Sequence, residues 1–146
     1  ENYGYGGVDD SLLFLLKTII DSTQCKIVLS TTWRLNQSAR ATLLHFMKAR
    51  ADINVEDIII GDTPSLKGKK RAFEIETFLN SEEFQSQYYC TKWCAIDDLA
   101  LNQQYPLFMR NHFVRTNYRT GITSSDAYNV VQILNKDMEY SNSYDY

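Results

Sequence analysis

The sequence predicts an α/β protein, namely a three-layer, Rossmann-like domain around a central, mainly parallel sheet. Short apolar segments rich in β-branched residues alternate along the chain with longer segments of helical periodicity. Three of the apolar segments run directly into polar, turn-prone loops. Such alternation favours right-handed βαβ crossovers, and the ligand site of the resulting parallel sheet lies at the carboxyl ends of its strands.

Apolar residues recur at helical spacing in four segments. These predict helices over residues 9–22, 38–50, 69–84 and from about residue 124 to residue 134. Asp9 and Asp10 precede the first helical repeat, so we assign them to capping. Ser124, Ser125 and Asp126 are the predicted capping groups of the last helix.

Four apolar segments lie between or after these helices and predict strands. They cover residues 25–30, 58–60, 93–96 and 113–114. The first ends at Ser30, the second at Gly61-Asp62 and the third at Asp97-Asp98. Since both faces of a central parallel strand are covered by helices, we expect these segments to be buried.

The amino-acid composition argues against several classes of protein. The 146 residues suit one domain, and 44% apolar with 23% charged residues is close to globular averages. A net charge of −3 argues against a globally basic nucleic-acid surface, although a local patch could still hold phosphates. The longest strongly apolar run, residues 12–16, is far short of the roughly 20 residues that span a bilayer. We expect no membrane segment.

The cysteines and the two ends of the chain carry further expectations. The odd set Cys25, Cys90 and Cys94 lacks metal-ligand pairing, so we predict reduced thiols and an intracellular, cytoplasmic protein. Residues 1–137 are predicted to form the domain. The polar, tyrosine-rich tail, residues 138–146, is predicted to be disordered or to bind protein partners.

The residues that directly follow the predicted strands are the candidate site, because the fold brings those loops into one crevice. The candidates are Ser30, Thr31, Thr32, Trp33 and Arg34, then Asp62 and Thr63, then Lys67, Lys69, Lys70 and Arg71, and finally Asp97 and Asp98. Hydroxyls and backbone amides hold phosphate oxygens, cations offset their charge, and paired carboxylates hold Mg²⁺. The pattern therefore predicts a phosphate and cation site.

Each candidate also has a structural interpretation. Serine and threonine after a strand form turns, a basic cluster is usually a solvated face, and adjacent aspartates can cap a turn. Trp33 could stack on a base or pack in the core beside the sheet. His45 and His112 lie outside the strand-end loops, so we predict structural roles for both. No thiol chemistry is predicted for the cysteines.

The motifs together resemble the haloacid dehalogenase-like domains of modular RNA-repair proteins, from about Leu12 to Leu134. The resemblance is carried by Ile27-Val28-Leu29-Ser30-Thr31-Thr32-Trp33-Arg34, by Ile58-Ile59-Ile60-Gly61-Asp62-Thr63-Pro64, by Arg71-Ala72-Phe73-Glu74-Ile75 and by Ala95-Ile96-Asp97-Asp98. Phe113-Val114-Arg115-Thr116 and Gly121-Ile122-Thr123 continue it. The serine-rich Trp-Arg signature is its most specific element.

The resemblance implies roles for particular residues. Ser30 matches the second superfamily motif, whose hydroxyl binds the phosphoryl group. Lys70 or Arg71 matches the third, cationic motif, and Asp97 with Asp98 matches the fourth, which binds Mg²⁺. We further expect Thr31, Trp33, Arg34 and Thr63 to contact the substrate.

The family's nucleophilic aspartate and the second aspartate two residues later, at the end of a first strand, have no counterpart in the sequence. The pair Asp9-Asp10 lacks the strand and the spacing of that motif. We therefore expect the domain to lack its first strand, with the motif just upstream of Glu1 if the chain is a fragment.

The function expected of the complete domain is Mg²⁺-dependent hydrolysis of a phosphomonoester, with a phosphorylated RNA or nucleotide as substrate. Because the nucleophile is missing, the chain alone is expected to be inactive. One alternative is a non-catalytic subunit or interaction module of the same fold. The other is a nucleotide-binding signalling domain of flavodoxin-like topology. The residues before Glu1 would separate these cases.

Overall fold

In the computed structural model, which describes residues 10–88 and 92–136, the first element is helix α1 (Asp10–Thr23). It buries Leu13, Ile19 and Ile20 on one stripe, as the apolar spacing predicts. Asp10 lies in the first turn, where a carboxylate stabilises the helix, and Asp9 lies outside the described residues. The predicted first helix is confirmed.

The first strand pair consists of β1 (Ile27–Leu29) and β2 (Ile59–Asp62), which are parallel. A short 3₁₀ helix (Thr32–Leu35), helix α2 (Gln37–Ala51) and the helical turn α3 (Val55–Ile58) connect them. The prediction of a strand over residues 58–60 was wrong at its start. Ile58 completes α3, and the strand continues through Gly61 and Asp62 instead.

Gly61 lies where a helix approaches β2 closely. A Cβ atom at this position would come within 3.1 Å of the Phe78 ring. Any larger residue would therefore push the next helix away from the strand. The glycine that we predicted to close the strand is instead part of it.

The predicted single helix over residues 69–84 is two helices, α4 (Arg71–Leu79) and α5 (Glu82–Gln87). Asn80 ends the first, and the Ser81 hydroxyl accepts a hydrogen bond from the Phe84 amide to start the second. Ser and Asn bond to nearby backbone groups and so favour caps over helix interiors. That chemistry overrides the continuous apolar periodicity.

The second strand pair consists of β3 (Ala95–Asp97) and β4 (Phe113–Arg115), also parallel. The one-turn helices α6 (Leu101–Gln104) and α7 (Pro106–Met109) connect them, and α8 (Ser124–Leu134) follows. Within the described residues β1–β2 and β3–β4 are two separate two-stranded sheets rather than the predicted continuous sheet. The fold is α/β with parallel strand pairs.

Three apolar clusters hold these elements together. Residues from α1, α2 and the loop and turn before β2 form one; α4, β3, α6 and α7 form the second; α1, β4 and α8 form the third. Ala95 belongs to the second cluster and Val114 to the third, so the β3–β4 pair is covered on both faces. Cys25 packs against the first and third clusters.

Burial is less complete than predicted for central strands. Ile27 and Val28 are half-buried, and Ile96 is 40% exposed. No helix within the described ranges is long and apolar enough to cross a membrane. The tyrosine-rich tail and Cys90 lie outside the described residues, so the predictions for them stay predictions.

The N-cap of helix α8 lies one residue before the first of the predicted capping groups. Thr123 is the N-cap and accepts a hydrogen bond from the Asp126 amide at 3.1 Å, while the Asp126 carboxylate accepts one from the Thr123 amide at 2.9 Å. This is a capping box. Ser124 and Ser125 are helical and do not cap, so only Asp126 was predicted correctly.

Replacing Thr123 should therefore destabilise the protein more than replacing its neighbours. We expect Thr123→Ala to lower the free energy of unfolding by about 1 kcal/mol, because it leaves a helix amide without its acceptor. Ser125→Ala, on the same helix turn, should change it by less than about 0.5 kcal/mol. Urea unfolding of both variants measures the difference, and equal losses would contradict the assigned cap.

The Cys94 thiol gives the fold a pH dependence. Burial, then the neighbouring Cys25, raises the pKa of Cys94 from 9.0 to about 12. The folded state therefore keeps this proton at pH values where the unfolded state loses it. The resulting stabilisation is complete below about pH 9 and is lost as the pH rises towards 12.

Raising the pH from 8 to 11 should lower the free energy of unfolding of the unchanged protein more than that of Cys94→Ala. We expect the two decreases to differ by an amount on the order of a few kcal/mol. Urea unfolding at several pH values measures this. Cys25→Ala is the control for removing a half-buried thiol, and it should retain most of the dependence. An identical pH slope in Cys94→Ala and the unchanged protein would refute the assignment.

Candidate functional site

Arg34 is the most highly connected polar side chain at the strand ends. Its guanidinium is buried and donates to four backbone carbonyls, namely those of Ser30, Thr31, Thr63 and Pro64, at 2.7–3.2 Å. It also donates to the Glu74 carboxylate at 3.2 Å. Arg34 thus ties the loop after β1 to the loop after β2 and to helix α4.

The second half of this arrangement is Glu74. One carboxylate oxygen accepts from Arg34 and the other from the backbone amide of Leu66 at 2.8 Å. The side chains of Arg34 and Glu74 are only 3% and 11% exposed, so water barely screens the ion pair. A buried pair is tolerated where hydrogen bonds satisfy both partners, as they do here.

Ser30 and Thr63, which follow β1 and β2, contact each other directly. The Thr63 hydroxyl donates to the Ser30 hydroxyl oxygen at 3.3 Å, and the Thr63 amide donates to the Leu29 carbonyl at 2.9 Å. Thr63 is buried, whereas Ser30 is half-buried. The parallel pairing of β1 and β2 therefore brings two of the predicted site residues together.

Arg71 and Asp97 form the corresponding contact at the end of β3. The Arg71 guanidinium donates to Asp97 Oδ2 at 2.7 Å, and the Leu99 amide donates to Oδ1 at 3.0 Å. The Asp97 side chain is 6% exposed and that of Arg71 18%. The predicted cationic residue and the predicted metal-binding aspartate thus neutralise each other.

Helix α4 links both groups. Arg71, the first residue of α4, contacts the end of β3. Glu74, in the first turn of α4, contacts the loops after β1 and β2. The carboxyl ends of both strand pairs therefore meet at the first turn of one helix. Ser30 is linked to Arg71 and Asp97 through Arg34, Glu74 and α4, and the predicted convergence of these residues around one pocket stays a prediction.

The remaining predicted residues occupy more varied positions. Trp33 packs against the first apolar cluster, which favours the core interpretation over base stacking. Thr31 is exposed and offers its carbonyl to Arg34. Lys70, the N-cap of α4, is exposed, as are Lys67 and Lys69. Their predicted binding roles stay predictions.

Asp98 is exposed, and its backbone carbonyl accepts a hydrogen bond from Arg115 at 3.0 Å. Among the described residues no group of three or more His, Cys, Asp or Glu side chains is arranged to hold a metal ion. Asp97 and Asp98 alone supply two carboxylates, and both oxygens of Asp97 already accept hydrogen bonds. Mg²⁺ binding needs further oxygen ligands.

The histidines occupy positions that agree with structural roles. His112 stacks on Trp93 with ring centroids 4.3 Å apart, and its Nδ1 lies 2.9 Å from the Trp93 carbonyl. His45 is exposed beside Phe46. Neither lies near the ends of the strands that carry Ser30 or Asp97.

Two ion-pairing residues of the site were missed by sequence reasoning. Glu74 carried a signal, since an acid among the buried positions Ala72 and Ile75 of one helix requires a partner. Arg40 carried none. It binds both carboxylate oxygens of Asp62 at 2.8 and 2.9 Å, and this hydrogen bonding raises the pKa of the Arg40 guanidinium.

The fold and these contacts define an α/β protein whose polar groups gather at the carboxyl ends of parallel strands, as in proteins that bind phosphorylated ligands. Residues 6–127 match the family described as the HAD domain in Swiss Army Knife RNA repair proteins. The chain belongs to this family. No curated protein and no solved structure matches the chain significantly.

Breaking the buried pair should destabilise the fold strongly. We expect Arg34→Met to lower the free energy of unfolding by about 3–5 kcal/mol, because it leaves Glu74 as a buried, unpaired carboxylate. The same substitution at exposed Arg110 should cost less than about 0.5 kcal/mol. Denaturant unfolding compares the two, and a small loss for Arg34→Met would mean that Arg34 does not hold these loops together.

Proposed function

We propose that the chain is the greater part of a Mg²⁺-dependent phosphohydrolase domain that acts on phosphomonoesters. The observation that carries this proposal is that the first turn of α4 contacts both strand ends. Glu74 pairs with Arg34, which binds the Ser30 carbonyl, and Arg71 pairs with Asp97. A hydroxyl, a cation and a carboxylate are the groups that phosphoryl transfer requires for binding phosphate oxygens and offsetting their charge.

The proposal includes a further parallel strand between β1 and β3. Each of these strands pairs with only one neighbour among the described residues. Cys25 and Cys94, just before the two strands, pack against the same apolar cluster, and α4 links the strands' other ends. An open strand edge is a template for another strand, and one strand here would join the pairs into one three-layer sheet.

That strand would supply the nucleophilic carboxylate, since the described residues at this edge offer none in a suitable position. The carboxylate attacks phosphorus, the alcohol leaves, and water then releases phosphate from the acyl phosphate. We place the strand in sequence that precedes α1, because α1 packs beside both strand pairs through Ile19 and Ile20.

Within this proposal each residue has a defined task. Ser30 accepts its hydrogen bond from Thr63, so its own hydroxyl hydrogen can donate to a phosphate oxygen. Lys70 is exposed at the start of α4, where its ammonium can offset phosphate charge. Arg71 and Arg34 act as positioning residues, since their guanidinium groups are bound to Asp97 and Glu74.

Mg²⁺ fits the site only in part. Asp98 offers an exposed carboxylate, whereas both oxygens of Asp97 accept hydrogen bonds within the chain. The added strand would have to contribute the missing oxygen ligands. When bound, the ion would lower the energy of the charge that develops on the phosphoryl oxygens.

The family description supports a substrate class. Because the family is that of an RNA-repair domain, we propose a terminal phosphate on a nucleic acid or nucleotide as the substrate. An isolated fold does not carry such specificity, so the substrate must be measured. We also propose that the tyrosine-rich tail, residues 138–146, binds protein partners.

One observation favours a second candidate, a non-catalytic interaction module. The neutral Arg71–Asp97 pair and the fully bonded Asp97 carboxylate are also what a purely structural strand end would have. In that case the added strand would restore stability without turnover.

Phosphate release from an aryl phosphate with Mg²⁺ tests the proposal. The 146-residue chain alone should give no detectable turnover, since it lacks the nucleophile. A longer chain that includes the preceding strand should be active, and Ser30→Ala in it should lower kcat/KM about a hundredfold by removing one phosphate donor. Ser125→Ala, an exposed serine on α8, is the matched control and should leave the rate unchanged.

Asp97→Asn in the longer chain should also abolish Mg²⁺-dependent turnover. A magnesium-dependent rate from the 146-residue chain would refute the need for the added strand. A stable but inactive longer chain would favour the interaction module instead.

A further inference from the structure

A cavity of about 230 Å³ opens beside the start of α4, and Lys70 is the lining residue that the proposed phosphoryl chemistry also uses. Its wall consists of residues 68–70, Ala72 and the side chains of Phe73, Gln104 and Tyr105. Sites for drug-sized ligands occupy roughly 300–1,000 Å³, so this cavity suits one ring system and its immediate substituents. It adjoins Lys70 and Arg71, which belong to the candidate site.

The rim of the cavity carries unneutralised positive charge. Lys67, Lys69 and Lys70 are exposed and have no ion-pair partner among the described residues. The nearby acid Glu74 is already bound by Arg34 and the Leu66 amide. Three unpaired cations within four residues of a protein with net charge −3 favour an anionic ligand.

The wall itself is aromatic. Lys69 Nζ lies 5.0 Å from the centroid of the Phe73 ring, and the Tyr105 ring lies 5.7 Å from that of Phe108. Interaction with the Glu76 carboxylate raises the pKa of the Tyr105 phenol. Phe73 and Tyr105 thus place two aromatic rings in the wall, and stacking on aromatic rings is favourable for every base.

Gln104 adds a polar group at the base of the cavity. Its Oε1 accepts a hydrogen bond from the Ala72 amide at 3.0 Å, which orients the side-chain NH₂ as a donor. Because this amide in the first turn of α4 is already bonded, it is not available to bind an anion. The cations, the aromatic wall and the fixed amide are three separate features of one cavity.

We infer that this cavity binds a nucleoside monophosphate unit, either free or as the terminal residue of a single strand. The base packs against Phe73 and Tyr105, the Gln104 amide donates to the base, and Lys69 with Lys70 contacts the phosphate. Only the interpretation of the cavity as a substrate subsite rests on the proposed function. The binding itself requires neither turnover nor the added strand.

NMR titration of the ¹⁵N-labelled 146-residue chain tests this with four probes: adenosine monophosphate, ribose 5-phosphate, inorganic phosphate and a 5′-phosphorylated trinucleotide. We expect adenosine monophosphate to bind at least tenfold more tightly than the two probes without a base, with shifts at Phe73, Gln104 and Tyr105. Tighter binding of the trinucleotide would identify the strand terminus as the ligand, and equal binding would identify the free nucleotide.

Two variants separate the stacking contribution from the charge contribution. Phe73→Leu keeps apolar volume but removes the ring, and Lys69→Gln removes one cation; each should weaken binding of adenosine monophosphate about tenfold. Tyr128→Leu and Lys136→Gln, exposed positions on and after α8, are the matched controls and should leave it unchanged. Thermal unfolding checks that all four variants are folded.

Absence of binding at millimolar nucleotide would overturn the inference, as would equal affinity for inorganic phosphate and adenosine monophosphate. Unchanged binding in both Phe73→Leu and Lys69→Gln would overturn it too. Inactivity of the longer chain would instead overturn the phosphohydrolase proposal and leave nucleotide binding at the cavity intact.

Discussion

The buried guanidinium of Arg34 is the interaction on which the strand-end region depends. A charge taken out of water is costly unless it is paired and hydrogen-bonded, and Arg34 meets both conditions through Glu74 and four carbonyls. The fork of the guanidinium fixes directions as well as distances. Three segments that are far apart in sequence therefore have little freedom to move independently.

Helix α4 extends this constraint to the second strand pair. Its first turn places Glu74 against the loops of β1 and β2 and Arg71 against the end of β3. The two ion pairs thus align the carboxyl ends of two sheets that share no backbone hydrogen bond among the described residues. Helix α4 thus joins the two strand pairs at this end.

The same turn of α4 divides its charges between the interior and the surface. Arg71 and Glu74 form internal ion pairs, whereas Lys69 and Lys70 are exposed at the rim of the cavity. Internal pairs give rigidity, and unpaired cations give affinity for phosphate. Within one short basic run, Arg71 therefore serves the fold, and Lys69 and Lys70 serve the ligand binding that we propose.

The sequence by itself determined the α/β class, because periodicity and β-branched runs report which segments are buried locally. Its motifs determined the family, whereas the strand bounds differ from the predicted ones by up to two residues. It also predicted that Ser30, Arg71 and Asp97 lie together, and the structure links them through the contacts of Arg34 and α4. Only the tertiary structure decided that Asp97 is neutralised by Arg71, that Arg34 is buried, and that Thr123 rather than Ser124 caps α8.

The reason is that pairing partners lie far apart along the chain. The contacts of Arg34 reach 40 residues to Glu74, and those of Arg71 reach 26 residues to Asp97. Local propensity contains no information on which side chains meet across such distances. The break between α4 and α5 at Asn80–Ser81 has a local cause, because the capping residues are adjacent in sequence. The sequence therefore contained this signal, but the apolar repeat that continues across the break was stronger.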